Sequence, residues 1–193
     1  MITRRHSSWL RLAFSRDRSG DRGKGSADRF TLLVLPHLDG AWRYARFLCR
    51  DHNVAEDVVQ DAFVRALKAI DQCRGDPRAW LFAILRNCHH DWARANARMP
   101  LNETHDESLE LMASDDPHLH AEISDLRRMI EGLPEPFREA LVLRELEELT
   151  YRDIAEVTGA PIGTVMSRLA RARQMLGALL RDVDPTQLKR EQA

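Results

Sequence analysis

Four arginines, Arg168, Arg171, Arg173 and Arg181, lie between residues 164 and 181 with no acid among them. Guanidinium groups pair with phosphate and, bidentately, with guanine edges, a contact worth about 1–3 kcal/mol of base discrimination. In the same stretch Ile162, Val165, Leu169, Ala172 and Leu176 recur at the spacing of a buried helix face. Thr164, Ser167, Arg168, Arg171 and Gln174 are thereby predicted to face outward. Upstream, Thr150 is placed to cap a helix over 151–157, with Asp153 completing a capping box and Ile154, Ala155 and Val157 turned inward. Thr158-Gly159 then turns the chain, because glycine adopts the left-handed conformation that ends a helix without steric cost. Two short helices joined in this way form a helix-turn-helix, whose second helix fits the major groove of B-DNA. A helical hairpin with a solvated arginine face is the competing reading. Cap, turn glycine and one-sided arginines together favour DNA.

Other reactive constellations are weaker. Cys88-His89-His90, with Cys49 and His52 earlier, invites a metal hypothesis. Adjacent helical histidines point about 100° apart, and no CxxC or HxxxH pair supports them, so no metal and no other cofactor is expected. His105, His118 and His120 are too loosely placed to add a site. There is no glycine-rich phosphate loop, nucleophile elbow or carboxylate dyad, which argues against an enzyme with a small-molecule substrate. The tripeptide Arg74-Gly-Asp76 reads as a turn.

The elements that must position these residues are helical throughout, in a chain of 193 residues with room for two small domains. Residues 1–28 are rich in arginine, serine, glycine and aspartate, and a disordered basic extension is predicted there. Val54, Val58, Ala62 and Ala66 form one row of a helix, with Ala55, Val59, Phe63, Leu67 and Ile70 beside it. Asn53 is predicted to cap that helix, with Glu56 completing a capping box. The other face shows Glu56, Asp57, Gln60, Asp61 and Arg65. Asp76-Pro77 opens a second helix through Leu81, Ile84, Leu85, Cys88 and Trp92. Residues 99–122 carry seven acids and no Lys or Arg, with Pro100 and Pro117 bracketing most of them, the signature of a flexible linker. Periodicity resumes near Ile123, breaks at Gly132-Leu-Pro134, and runs on through Phe137, Leu141, Val142 and Leu146 to about Glu148. Three widely spaced cysteines, an arginine-broken apolar cluster at Trp9–Phe14 and no run near the roughly 18 apolar residues of a bilayer span point to a cytoplasmic protein with reduced thiols and no stable membrane association. A net charge of −1 argues against a simple nucleic-acid coat.

The runs Leu133-Pro-Glu-Pro-Phe-Arg-Glu-Ala, Leu143-Arg-Glu-Leu, Tyr151-Arg-Asp-Ile-Ala and Gly163-Thr-Val-Met-Ser-Arg-Leu-Ala-Arg-Ala-Arg173 resemble domain four of the extracytoplasmic-function (ECF) sigma factors. Ala55-Glu-Asp-Val-Val-Gln-Asp-Ala-Phe63 and Arg74-Gly-Asp76 with Ala79-Trp-Leu-Phe-Ala-Ile-Leu-Arg-Asn87 resemble domain two of the same family. The likeness covers about residues 30–180 in the family's order. It implies an all-α chain with sigma region 2 (29–98), an acidic linker (99–122) and a helix-turn-helix sigma region 4 (123–182), while the basic extension (1–28) and a tail (183–193) flank the likeness.

By resemblance, Asp57, Gln60 and Asp61 would dock on the RNA polymerase core, although the residues alone show only an exposed polar face. Arg78, Trp80, Phe82, Arg86 and Asn87 would melt and hold the −10 promoter element, which needs stacking surfaces and cations. Trp80 and Phe82 have core positions as their alternative, and for Trp80 that is the stronger reading. Only Pro77-Arg-Ala separates Arg74-Gly-Asp76 from Trp80, where many relatives have a longer loop, so no −10 sequence is carried over. Ser167, Ala170 and Arg171 would touch the −35 element, with Arg144 on a phosphate and Thr164 and Arg168 beside them. Met166 sits where some relatives carry arginine. The acidic linker would thread toward the RNA exit channel or serve as a solvated tether. An anti-sigma protein is the further partner implied. The rivals are a helix-turn-helix regulator that is no sigma factor and a metal-dependent enzyme centred on Cys88–His90.

Overall fold

The computed structural model describes residues 20–96 and 117–182, and no strand occurs among them. They cluster into two compact units divided in the chain near residue 100, with residues 46–52 clustering with the second. Most of the basic extension, residues 97–116 with most of the acidic linker predicted over 99–122, and the tail from 183 lie outside the described residues, whereas 117–122 of that linker is helical.

The first unit holds α1 (Gly20–Leu33), a 3-10 turn (Leu35–His37), α2 (Leu38–Cys49), α3 (His52–Lys68), a second 3-10 turn (Ile70–Gln72) and α4 (Pro77–Ala95). Its interior is apolar and aromatic. Phe30 meets Phe63 edge to face at 6.0 Å, and Tyr44 lies against Phe82 at 5.4 Å. Ala55, Val58, Val59, Ala62, Phe63 and Ala66 form the buried side of α3, as their spacing predicts. The Asp76 side chain accepts from the Arg78 backbone N–H at 3.0 Å with Pro77 behind it, which fixes where α4 begins.

Two expectations for this unit are corrected. The extension predicted as disordered to residue 28 is helical from Gly20. Phe30 and Val34 are buried, and the Arg29 guanidinium donates to the Cys73 carbonyl at 3.3 Å, so packing overrides poor local propensity. Helix α3 starts at His52, one residue before the expected cap, so Asn53 lies inside its first turn. Glu56 accepts from the Gln60 amide at 3.4 Å and lies along the helix flank.

The second unit contains α5 (Pro117–Gly132), α6 (Glu135–Leu141), a π-helical turn (Val142–Leu146), α7 (Tyr151–Thr158) and α8 (Ile162–Asp182). Helix α5 begins at Pro117, six residues before the expected resumption near Ile123, since proline is suited to a first helical turn. The Arg138 guanidinium donates to the Leu133 and Glu131 carbonyls at 2.9 and 3.1 Å and so satisfies oxygens released where α5 ends. The helix predicted to continue to Glu148 keeps α geometry only to Leu141. The Glu147 N–H then reaches back to the Val142 carbonyl at 3.1 Å, and Glu148 takes φ 51°. That wider turn, followed by a left-handed residue, breaks the helix and redirects the chain into α7.

Candidate nucleic-acid interface

Helices α7 and α8 form the predicted helix-turn-helix, and its local determinants are all in place. The Asp153 N–H donates to Thr150 Oγ1 at 3.2 Å, and the Thr150 N–H returns a bond to Asp153 Oδ2 at 3.1 Å. Gly159 has φ 66°, a conformation that a β-carbon would strain. The Thr158 hydroxyl, buried at the corner, donates to the Ile154 carbonyl at 2.7 Å. The Pro161 carbonyl accepts the Thr164 and Val165 N–H groups at 2.8 and 3.1 Å, which starts α8.

This frame sets the rotational phase of α8. Val165, Leu169 and Ala172 are buried with Ile154 and Val157. Ser167, Ala170, Arg171 and Gln174 are exposed, and Thr164 and Arg168 are half-buried at one flank. Ile162, expected inward, is exposed because it opens the helix and has no turn beneath it. Ala155 and Leu176 are half-buried where full burial was expected. Arg171 Nη1 donates to Gln174 Oε1 at 2.9 Å, so its guanidinium lies along that exposed surface.

Two further arginines brace the motif. Arg144, in the π turn, donates to the Leu149 carbonyl at 2.8 Å and lies 5.2 Å over the Tyr151 ring. Its charge thus sits at the entrance to α7, half-buried. Arg173 pairs with Glu145 at 2.6 Å and ties the π turn to α8. Sequence reasoning missed Glu145, because nothing in the spacing of residues 145 and 173 signals their meeting.

In the first unit Asp57 and Asp61 are exposed and Gln60 is half-buried on the polar side of α3. Asp61 pairs with Arg65 at 2.8 Å, and Arg65 also reaches Asp91 of α4 at 2.8 Å. On α4, Asn87 is exposed, and Arg78, Trp80 and Arg86 are half-buried. Phe82 is 0% exposed against Tyr44, so it is a core residue and offers no face to a base. The core preference stated for Trp80 belongs to Phe82, since the inward row of α4 runs through Leu81, Phe82 and Leu85. Arg78 lies 5.8 Å over the Phe82 ring, a cation placed between core and surface. The His89 and His90 rings lie only 5.6 Å apart, closer than a helical projection suggests. Burial pushes the Cys49 and Cys88 thiols up to about 12, with nearby Asp51 and Asp61 respectively adding to the effect.

Residues 33–99 match the protein family described as Sigma-70 region 2, and residues 123–176 match Sigma-70, region 4. A helical region 2 followed by a helix-turn-helix region 4 defines the sigma class of transcription factors. An ECF RNA polymerase sigma-E factor of Haemophilus influenzae is 36% identical, over 79% of this chain and 88% of the relative. The corresponding factor of Escherichia coli K12 is 38% identical, over 79% and 87%. Among solved structures, the sigma factor RpoE of Bartonella quintana, in complex with the anti-sigma factor NepR, superposes with a TM-score of 0.68 at 29% identity. It covers 80% of this chain and 98% of that one. CnrH, in complex with the cytosolic domain of CnrY, gives 0.60 at 26% identity, over 90% and 98%. The chain belongs to the ECF family of RNA polymerase sigma factors.

Proposed function

We propose that this sigma factor recruits core RNA polymerase to selected promoters by laying α8 in the major groove of the −35 element, while α4 holds the opened −10 element. One observation carries the reading. Ser167, Ala170 and Arg171 share the open side of a recognition helix whose opposite side is locked by Val165, Leu169 and Ala172. Thr164 and Arg168 flank that surface, and Arg144, at the entrance to α7, would contact a backbone phosphate. On α4, Asn87 and the half-buried Trp80 are the side chains that meet an unstacked base, and Arg78 and Arg86 supply charge for its phosphates. Phe82 serves from beneath, as the packing that holds this face in shape. Asp57, Gln60 and Asp61 form the core-docking surface on α3.

Strand separation then draws on binding energy alone, and the chain carries out no catalytic step of its own. No helix among the described residues is long and apolar enough to cross a membrane. One structural relative is bound to an anti-sigma factor in its solved complex and another to the cytosolic domain of CnrY, which supports an anti-sigma partner here.

A gel shift on duplex promoter DNA tests the mechanism. The full chain should bind tightly only when core polymerase is present. Equally tight binding by the chain alone would mean a repressor-type helix-turn-helix instead.

A further inference from the structure

The open side of α8 carries two stripes of different chemistry. Residues four apart on a helix advance by only about 40° and so form a row. Gly163, Ser167 and Arg171 make one exposed row. Ile162, Met166 and Ala170 make the adjacent row, and its two large members are 45% and 51% exposed. At about 100° per residue the rows adjoin at Gly163 and Ala170, neither of which carries a side chain beyond a β-carbon. A hydroxyl and guanidinium stripe therefore lies beside an apolar one at the end of the helix that enters the groove. The core beneath is already filled by Val165 and Leu169, so Ile162 and Met166 have no inward role.

We infer that Ile162 and Met166 read thymine in the −35 element, by packing against the C5-methyl groups that thymine alone presents in the major groove, with Ala170 extending the row. This rests on the reading that α8 enters that groove. The occupant follows from continuity, because a surface adjoining Ser167 and Arg171 is carried into the groove with them. The chemistry discriminates in both directions. A methyl group against an apolar side chain leaves water, whereas cytosine would bury its amino donor there without an acceptor. An unbranched thioether adapts its shape to a base edge more readily than a branched chain does. Arg171, one row over, suits a purine edge, so the two stripes together read thymine beside guanine.

The test uses holoenzyme assembled from core polymerase and the full chain, with a promoter duplex randomised through its −35 element. Selection should enrich thymine at two or more positions. Replacing each thymine by uracil removes only the methyl and should weaken wild-type holoenzyme about fourfold per position. Met166→Ala should abolish the thymine–uracil difference at one position and Ile162→Ala at another. Equal binding of thymine and uracil by wild type overturns the proposal, as do variants that keep the full difference. A clear −35 preference without a methyl effect defeats this inference alone. A library that returns no −35 preference defeats the groove-docking reading along with it.

Discussion

Arg171 and Gln174 are joined by a 2.9 Å bond between neighbours on one exposed face, which restrains the guanidinium on the surface proposed to meet the −35 element. A group so placed loses little side-chain freedom on meeting a base, and the contact is worth about 1–3 kcal/mol of discrimination. The double variant Ser167→Ala with Arg171→Ala should therefore lower promoter selectivity by about tenfold or more, with affinity for core polymerase unchanged. Competition binding with matched and scrambled −35 elements measures it, and equal loss of core binding would contradict it. The cysteines behave in the opposite way. Folding keeps protons on Cys49 and Cys88 up to about 12, whereas exposed thiols release them near 9.0. Their contribution to stability is thus complete below about 9 and disappears as the pH rises from there through about 12. Melting temperature should fall across that window, and less steeply in a Cys49→Ala, Cys88→Ala variant. At neutral pH these thiols are poor nucleophiles, which argues against a redox sensor built on them.

Each recognition element is positioned by its ends. The reciprocal Thr150–Asp153 cap fixes where α7 begins, and through the Gly159 corner it sets the phase of α8. Thr150→Ala should cost about 1 kcal/mol of stability, read by urea unfolding, and weaken promoter binding by less than the Arg171 variant does. Phe82→Ala should cost about 3–5 kcal/mol, because it empties a site packed against Tyr44. A purely promoter-specific defect without loss of stability would contradict the core placement. The elements that sequence made legible are those settled by neighbours in the chain: the caps at Thr150 and Asp76, the corner at Gly159, the buried rows of α3 and α8. Those it missed depend on distant partners. Helix α1 is held by Phe30 on Phe63 and Arg29 on Cys73, and the π turn is braced by Glu145 on Arg173. Which of Trp80 and Phe82 faces inward is a matter of helix phase, which one residue of error reverses. The site was legible to the same extent, with Ser167 and Arg171 placed by periodicity and the Asp57 face visible only as a polar surface.

Across the whole chain, a net charge of −1 conceals segregated blocks, a basic extension, an acidic linker and an arginine-bearing helix. Such blocks address different partners at once, which a uniform surface of the same net charge does not. Two compact units on one chain, with the proposed base-holding surface on α4 and the proposed groove-reading surface on α8, suit a factor that must touch two promoter elements together. The central claim is that these surfaces select where polymerase starts, and transcription in vitro tests it most directly. Core polymerase with the wild-type chain should produce transcripts from a single start site on the promoter upstream of its own gene. The Ser167→Ala, Arg171→Ala variant should lose most of that product. Transcription no greater than that of core polymerase alone would contradict the account.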